Sequence, residues 1–239
     1  MDNLVEKKNV AVILARQGSK RIPKKNIVDF HNKPLIYWTI KAALEANLFN
    51  NIIVSTDSNE IREMSIKFGA EVPFLREKYC DDHASSSMAT LQTLEQCKKE
   101  LGFEFENVFQ LMPNCPIRSS KEIVTAFDNF SKKNAVSQIS CTNFGWLNPW
   151  WAIKLEKNGF GDPLFPKEFN ERSQDQEKLY GISGAVWIAK SFVLEKYKTF
   201  YCPGHIFFPM SWHSAFDIDT QDDLEIAKSI FKKENQNAI

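Results

Sequence analysis

VAVILARQGSKRIPKKN, residues 10–26, decides the reading of the fold. Residues 10–15 form a short, β-rich apolar run without alternation, which is the pattern of a strand buried on both faces. The rest of the stretch is polar and basic. Its glycine, Gly18, permits a tight turn and a close approach of backbone to a ligand. Working outward, Pro34 suits the first turn of a helix in which Leu35, Trp38, Ala42 and Ala43 share a face. Residues 51–55 (NIIVS) read as a second strand. Asp57 or Ser58 can cap a helix running to about Phe68, and Gly69 can end it. Strand, loop, helix, strand, helix predicts right-handed crossovers and a largely parallel sheet. Ligands of such sheets gather at the carboxyl ends of the strands, where the 16–26 loop falls.

Further along, a polar loop at 81–87 leads into a helix ending near Leu101. A strand at 107–111, a helix at 121–130 and a strand at 135–140 follow. Residues 142–172 are irregular and rich in aromatics, Asn, Gly and Pro. They predict an antiparallel excursion around 151–155 and a mobile loop around 158–170. A strand pattern resumes at 184–189, an extended arm is expected at 205–209, a last strand at 215–218, and a last helix at 221–231 with a polar tail. There is no internal repeat, low-complexity tract or composition break, so residues 1–239 are read as one domain, with the excursion at about 142–210.

Thirty Lys plus Arg balance thirty Asp plus Glu, so the chain has no overall charge with which to grip nucleic acid or an anionic membrane. No apolar run is long enough to span a bilayer, and residues 1–9 are too polar for a signal peptide. Five cysteines, an odd number without CxxC spacing, suit a reducing compartment. The expectation is a cytoplasmic protein with neither nucleic acid nor membrane as partner.

Three clusters carry chemistry. In the first, Arg16, Lys20, Arg21 and Lys25 follow a strand, and successive backbone N–H groups beside them can cradle a polyphosphate. The spacing is not that of a Walker loop, and a merely solvated basic loop is the plainer alternative. In the second, Asp217 and Asp219 stand two apart on an expected strand and so face the same side. Two such carboxylates repel unless a cation lies between them, and Mg²⁺ at a nucleotide takes one or two carboxylates plus phosphate oxygens. Asp222 and Asp223, at the start of the next helix, read as capping residues. The third cluster is Arg172-Ser173-Gln174-Asp175, which is otherwise a surface loop. The four histidines are scattered and suggest no zinc site. Cys115 has no paired His to make it a nucleophile. The aromatics of 146–151 suit packing or an interface better than a sugar platform.

ILARQGSKRIPKKN resembles the signature of the acylneuraminate cytidylyltransferase (CMP-sialic acid synthetase) family. The likeness continues in order through KPLI (33–36), IIVSTDS (52–58), AEVPFLR (70–76), Asp82 and Ala84-Ser85-Ser86. It extends to Pro113, Pro116 and Arg118, and to FDIDTQDDLEIA (216–227). The resemblance implies a three-layer, Rossmann-like nucleotidyltransferase fold: a mostly parallel sheet, helices on both faces, a small dimerisation excursion and a homodimer. It implies CTP, a divalent metal and an acidic nine-carbon sugar as acceptor. Arg16, Ser19, Lys20, Arg21, Lys25 and Asn26 would hold the triphosphate, and Arg76 and Ser86 would contact the nucleotide. Asp217 and Asp219 would be the metal ligands, and Arg172 and Gln174 the acceptor ligands, with Arg172 forming a two-pronged bond to the sugar carboxylate. Phe207 and Phe208 match a pair that reaches across the dimer to the partner's sugar site; packing in the core is their other reading.

Two motifs point to different acids. RSQD is like the pseudaminic acid branch, whereas SGAVW (183–187) is closer to NGAIYI of sialic acid enzymes. Met112 stands where sialic acid enzymes carry a glutamine, in LQPTSPLR, and it cannot donate that residue's hydrogen bonds. The acid is therefore open among sialic, legionaminic, pseudaminic and other nonulosonic acids. The implied reaction is in-line attack of the anomeric 2-hydroxyl on the α-phosphorus of CTP, with Arg16 and Lys20 supporting the phosphates. A 3-deoxy-manno-octulosonate cytidylyltransferase and a non-catalytic nucleotide-binding relative are the alternatives.

Overall fold

The computed structural model describes residues 9–79, 85–145 and 147–236. Asp82 and Ala84 of the motif, with Cys80, His83, Trp146, residues 1–8 and the end of the polar tail, lie outside the described residues. In chain order the elements are β1 (Asn9–Leu14), β2 (Asp29–Phe30), β3 (Lys33–Pro34), α1 (Leu35–Ala46), β4 (Asn51–Ser55), α2 (Asn59–Lys67), α3 (Ser86–Leu101) and β5 (Asn107–Gln110). They continue with α4 (Ser120–Lys132), β6 (Ser137–Asn143), β7 (Ile153–Leu155), β8 (Gly161–Pro163), β9 (Tyr180–Lys190), α5 (Ser191–Tyr197), β10 (Ile206–Pro209) and α6 (Gln221–Gln236).

The main sheet runs in the order β10-β6-β9-β5-β1-β4. β1 pairs in parallel with β4 and β5, and β10 in parallel with β6, while β9 is antiparallel to both β5 and β6. The sheet is thus mostly parallel with one reversed strand in its interior. The reason β1 lacks alternation is visible in its packing. Ala11, Ile13 and Ala15 meet Ile36, Ile40 and Ala43 of α1 and Ile123 and Ala126 of α4 on one face. Val10, Val12 and Leu14 meet Ala89, Leu91 and Leu94 of α3 and Val193 and Leu194 of α5 on the other. At roughly 2 kcal/mol for each fully buried aliphatic side chain, this two-sided burial is the main stabilisation of the layer carrying the first loop.

The helix boundaries follow local chemistry. Pro34 immediately precedes α1, and Ser58, not Asp57, caps α2, its Oγ accepting from the Ile61 N–H at 3.5 Å. Gly69 adopts φ +94° just beyond α2, a backbone conformation glycine takes without strain. A capping box between Ser119 and Glu122 opens α4. The excursion holds a β7–β8 antiparallel hairpin, as expected around 151–155.

Two expectations are corrected. Residues 205–209 are not a free arm: Ile206–Pro209 is the edge strand of the main sheet, paired with β6. Residues 215–218 are not a strand, because their backbone bonds go to side chains and loops instead of a neighbouring strand. Ser183 Oγ donates to the Ala215 carbonyl at 2.9 Å, the Ile218 N–H donates to the Asn114 carbonyl at 2.9 Å, and Lys25 Nζ donates to the Ile218 carbonyl at 2.9 Å. The apolar composition of 215–218 therefore marks an extended buried segment, which the strand pattern alone does not distinguish from a paired one.

Candidate active site

The 16–26 loop leaves the carboxyl end of β1 and is shaped by its own side chains. Asn26, nearly buried, donates from Nδ2 to the Arg16 carbonyl at 2.9 Å and so closes the loop on itself. Asp57, at the end of β4, accepts the Gln17 N–H at 2.7 Å and ties the loop to the sheet. Ile22 is buried beneath the loop with Ile117, Ile218, Phe30, Leu35, Leu224 and Ala227. That small apolar cluster gathers isoleucines from three separate segments: the basic loop, the turn after β5, and the acidic segment before α6. Arg21 and Asp219, which flank two of those isoleucines, consequently open onto one place.

That place is a cleft of about 470 Å³ lined by Leu14, Arg16, Gly18, Ser19, Lys20, Arg21, Lys25, Asn26, Met112, Pro113, Asn114 and Asp219. Across it, Asp219 Oδ1 lies 2.9 Å from Lys25 Nζ and Asp219 Oδ2 lies 2.9 Å from Arg21 Nη2. The Lys25 side chain is 15% exposed, so its ammonium is shared between Asp219 and the Ile218 carbonyl inside the protein; the Arg21 side chain is 62% exposed and faces solvent. Gly18 lies outside the left-handed region, and a Cβ placed on it would meet nothing within 4 Å. Neither backbone strain nor packing explains the glycine, and the space it leaves opens into the cleft.

The electrostatics are uneven. Burial works against charge on Asp219, but the hydrogen bond and positive charge of Lys25, with those of Arg21, prevail and hold its pKa below the ordinary aspartate value. Asp217 keeps exposed surface, yet protein surrounds its carboxylate. Removal from water, reinforced by the charge of Asp219 and partly offset by Lys25, pushes its pKa up to about 6. The two acids are therefore close enough to repel. No group of three or more His, Cys, Asp or Glu able to hold a metal occurs among the described residues; of the two acids, Asp219 lines the cleft and Asp217 does not. Asp223 accepts the N–H groups of Asp219 (3.0 Å) and Thr220 (2.7 Å), the capping role expected of it. Cys115 is fully buried and its thiol is pushed up by burial, which keeps it protonated.

Other sequence candidates lie elsewhere. Arg76 is buried at the end of β4, where Nη1 donates to the Ser55 carbonyl at 3.2 Å and to Ser55 Oγ at 3.3 Å; Ser86 is the first residue of α3. Neither lines the cleft. Arg172 is exposed and its Nε and Nη2 contact Asp175 Oδ2 at 2.9 and 2.8 Å, with Gln174 beside it in the same turn. Phe207 is 46% exposed on the edge strand, whereas Phe208 packs against the core, the packing reading of that residue. Leu14, Asn114 and Asp57 are not among the candidate site residues read from the sequence, although Leu14 and Asp57 fall inside the quoted motifs. Asn114 and Asp57 belong to the turns after β5 and β4, where a parallel sheet collects its ligand contacts, and that position is the one clue to them.

A family model described as Cytidylyltransferase matches residues 10–142, more than half of the chain. The chain is 32% identical over 232 residues to the pseudaminic acid cytidylyltransferase of Campylobacter jejuni, covering 97% of this chain and 100% of that one. It is 30% identical over 233 residues to the CMP-N,N'-diacetyllegionaminic acid synthase of Legionella pneumophila, covering 96% and 98%. Among solved structures, a CMP:2-keto-3-deoxy-manno-octonic acid synthetase complexed with CTP superposes with a TM-score of 0.70 over 95% of this chain and 100% of the other, at 16% identity, which speaks to fold alone. On the family match and on full-length identities of 30% and above, the chain belongs to the cytidylyltransferase family.

Proposed function

We propose that this protein transfers CMP from CTP to the anomeric hydroxyl of a nonulosonic acid, releasing pyrophosphate. The observation that carries the reading is the pair of contacts across the cleft, Arg21 and Lys25 to Asp219, which join the basic loop to the acidic segment. Relatives named for pseudaminic and legionaminic acids over the full chain length support the acceptor class.

In this reading the triphosphate lies on the 16–26 loop. Arg16, Lys20 and Arg21 neutralise its charge, and Ser19 and the N–H groups around Gly18 orient it. Asp217 and Asp219 would hold Mg²⁺, which would supply positive charge to the phosphate oxygens. Lys25 and the Asn114 carbonyl keep the acidic segment in place through Ile218. The acceptor oxygen forms a bond to the α-phosphorus as the bond to the β-phosphate bridging oxygen breaks; the hydroxyl proton passes to solvent water and pyrophosphate leaves with the electron pair of the broken bond. Positioning and charge neutralisation account for catalysis here.

We also place the protein in the cytoplasm as a homodimer. Cys97, Cys115, Cys141 and Cys202 are free and buried, in keeping with a reducing compartment, and among the described residues no helix is long and apolar enough to cross a membrane. Leu147, Ile153, Leu155, Phe160 and Leu164 of the excursion are each at least half exposed, an apolar surface suited to a second copy. Arg172, Gln174 and Phe207 would serve the acceptor from this region.

The test is pyrophosphate release with CTP, Mg²⁺ and a panel of sialic, legionaminic, pseudaminic and eight-carbon 2-keto-3-deoxy acids, with sedimentation velocity on the same sample. Turnover only with the eight-carbon acid, or none with any acid, would overturn the reading; a monomer at micromolar concentration would overturn the dimer.

A further inference from the structure

The end of β4 is tied to three other parts of the chain. The Ser55 carbonyl accepts the Ala15 N–H at 3.0 Å and Arg76 Nη1 at 3.2 Å. Ala15 stands between Leu14 and Arg16, which both line the cleft, so the root of the basic loop and the Arg76 guanidinium share one acceptor. The next two residues repeat the pattern. The Thr56 carbonyl accepts the Arg76 N–H at 2.7 Å, and Asp57 Oδ1 accepts the Gln17 N–H at 2.7 Å. Arg76, 5% exposed, is thus clasped at its backbone and its side chain beside the root of the loop.

The third tie is to α3. Ser55 Oγ lies 3.3 Å from Arg76 Nη1 and 2.8 Å from Thr93 Oγ1, and Thr93 Oγ1 lies 2.9 Å from the Ala89 carbonyl. A guanidinium only donates and a carbonyl only accepts, so these contacts have one order in which each hydroxyl proton meets an acceptor. Arg76 donates to Ser55, Ser55 to Thr93, and Thr93 to Ala89. A chain headed by a cation is polarised along its length, which strengthens each link. Ser55 and Thr93 are both buried, and apolar residues of the same shape would serve stability there about as well. What the hydroxyls add is a fixed place for the Arg76 charge. We propose that Ser55 and Thr93 are positioning residues: they hold that charge beside the root of the basic loop, where it adds to the binding of a polyphosphate lying on the loop. The inference rests on the CMP-transfer reading above, from which it takes CTP as the ligand.

The experiment measures CTP affinity by calorimetry with Mg²⁺, together with kcat and the KM for CTP. The enzymes are wild type, Ser55→Ala, Thr93→Val, Thr93→Ser, the double variant Ser55→Ala/Thr93→Val, and Arg76→Met with and without Ser55→Ala. Ser55→Ala and Thr93→Val should each weaken CTP binding about three- to tenfold, the worth of one hydrogen bond, and raise the KM for CTP alike, with kcat at saturating CTP within about twofold. Thr93→Ser keeps the hydroxyl and should bind CTP within about twofold of wild type. Because the links act in series, the double variant should lose no more than the weaker single one, and Ser55→Ala should cost Arg76→Met less than about a further twofold. Unchanged affinity in Ser55→Ala, additive losses, or a Thr93→Ser as weak as Thr93→Val would overturn the inference while leaving CMP transfer intact. Wild type that binds no CTP would remove the transfer reading and this inference together. Wild type that binds CTP but transfers to no acid would remove the transfer reading alone, and the affinities would still decide for or against the positioning role. Should Arg76→Met not fold, the double variant decides: additive losses there overturn the chain.

Discussion

Gly18→Ala separates ligand binding from stability. The backbone at Gly18 is outside the left-handed region and a Cβ there would meet nothing within 4 Å, so alanine is accommodated without strain or clash. At a compatible site, Gly→Ala stabilises by about 0.4–1 kcal/mol, chiefly by restricting the unfolded chain. For a chain of this size, roughly 2–4 °C of Tm accompanies each kcal/mol, so thermal melts without ligand should rise by about 1–4 °C. The methyl would nevertheless project into the space that lines the cleft. If the triphosphate approaches the backbone there, the methyl holds it off and weakens at least one charge-assisted bond worth about 1.5–3 kcal/mol. Affinity for CTP, measured by calorimetry at fixed salt, should fall roughly ten- to hundredfold. A variant that melts higher and binds CTP weakly is the signature. CTP affinity within twofold of wild type would refute the argument that the glycine serves a ligand.

Arg16→Ala should reduce turnover far more than stability, and equal turnover at saturating CTP would count against its role at the phosphates. Asp219→Asn should shift the Mg²⁺ titration of activity to higher concentration; an unmoved titration would remove Asp219 from the metal site. Lys25→Met should lower both urea-unfolding stability, by about 1.5–3 kcal/mol for a lost charged hydrogen bond, and turnover, because Lys25 joins the Ile218 carbonyl to Asp219 inside the protein. Arg21→Ala removes an exposed ion pair worth at most about 1 kcal/mol, so unfolding should barely change while the KM for CTP rises; the opposite pattern would exchange the roles assigned to the two cations.

The parts of the fold legible in the sequence are those in which local pattern and tertiary environment agree. A β1 free of alternation is a strand with helices on both faces, and residues 10–15 carry that message alone. Caps and terminators such as Ser58, Gly69 and Asp223 work through neighbours a few residues away, so spacing identifies them. Strand direction is not local. Nothing in YGISGAVWIAK marks β9 as antiparallel, because its partners Asn107–Gln110 and Ser137–Asn143 are fixed by the route of the chain through the excursion. The extended segment 215–218 satisfies its backbone through Ser183, Asn114 and Lys25, groups that only the folded chain brings near it.

The same distinction explains how the cleft is assembled. Two motifs almost 200 residues apart face each other, yet the residues that bring them together carry no charge. Ile22, Ile117 and Ile218 each adjoin a charged residue and each is buried in one small cluster, so burying the three brings Arg21 and Asp219 to the same cleft. The Arg21 ion pair is exposed and screened by solvent, so of the two contacts across the cleft only Lys25–Asp219 adds appreciably to this apolar hold. An apolar anchor within each polar motif gives the position, and the charges set what binds there. An isoleucine beside a charge, in Arg21-Ile22, Ile117-Arg118 and Asp217-Ile218-Asp219, is therefore a structural device written into the chemical motifs themselves.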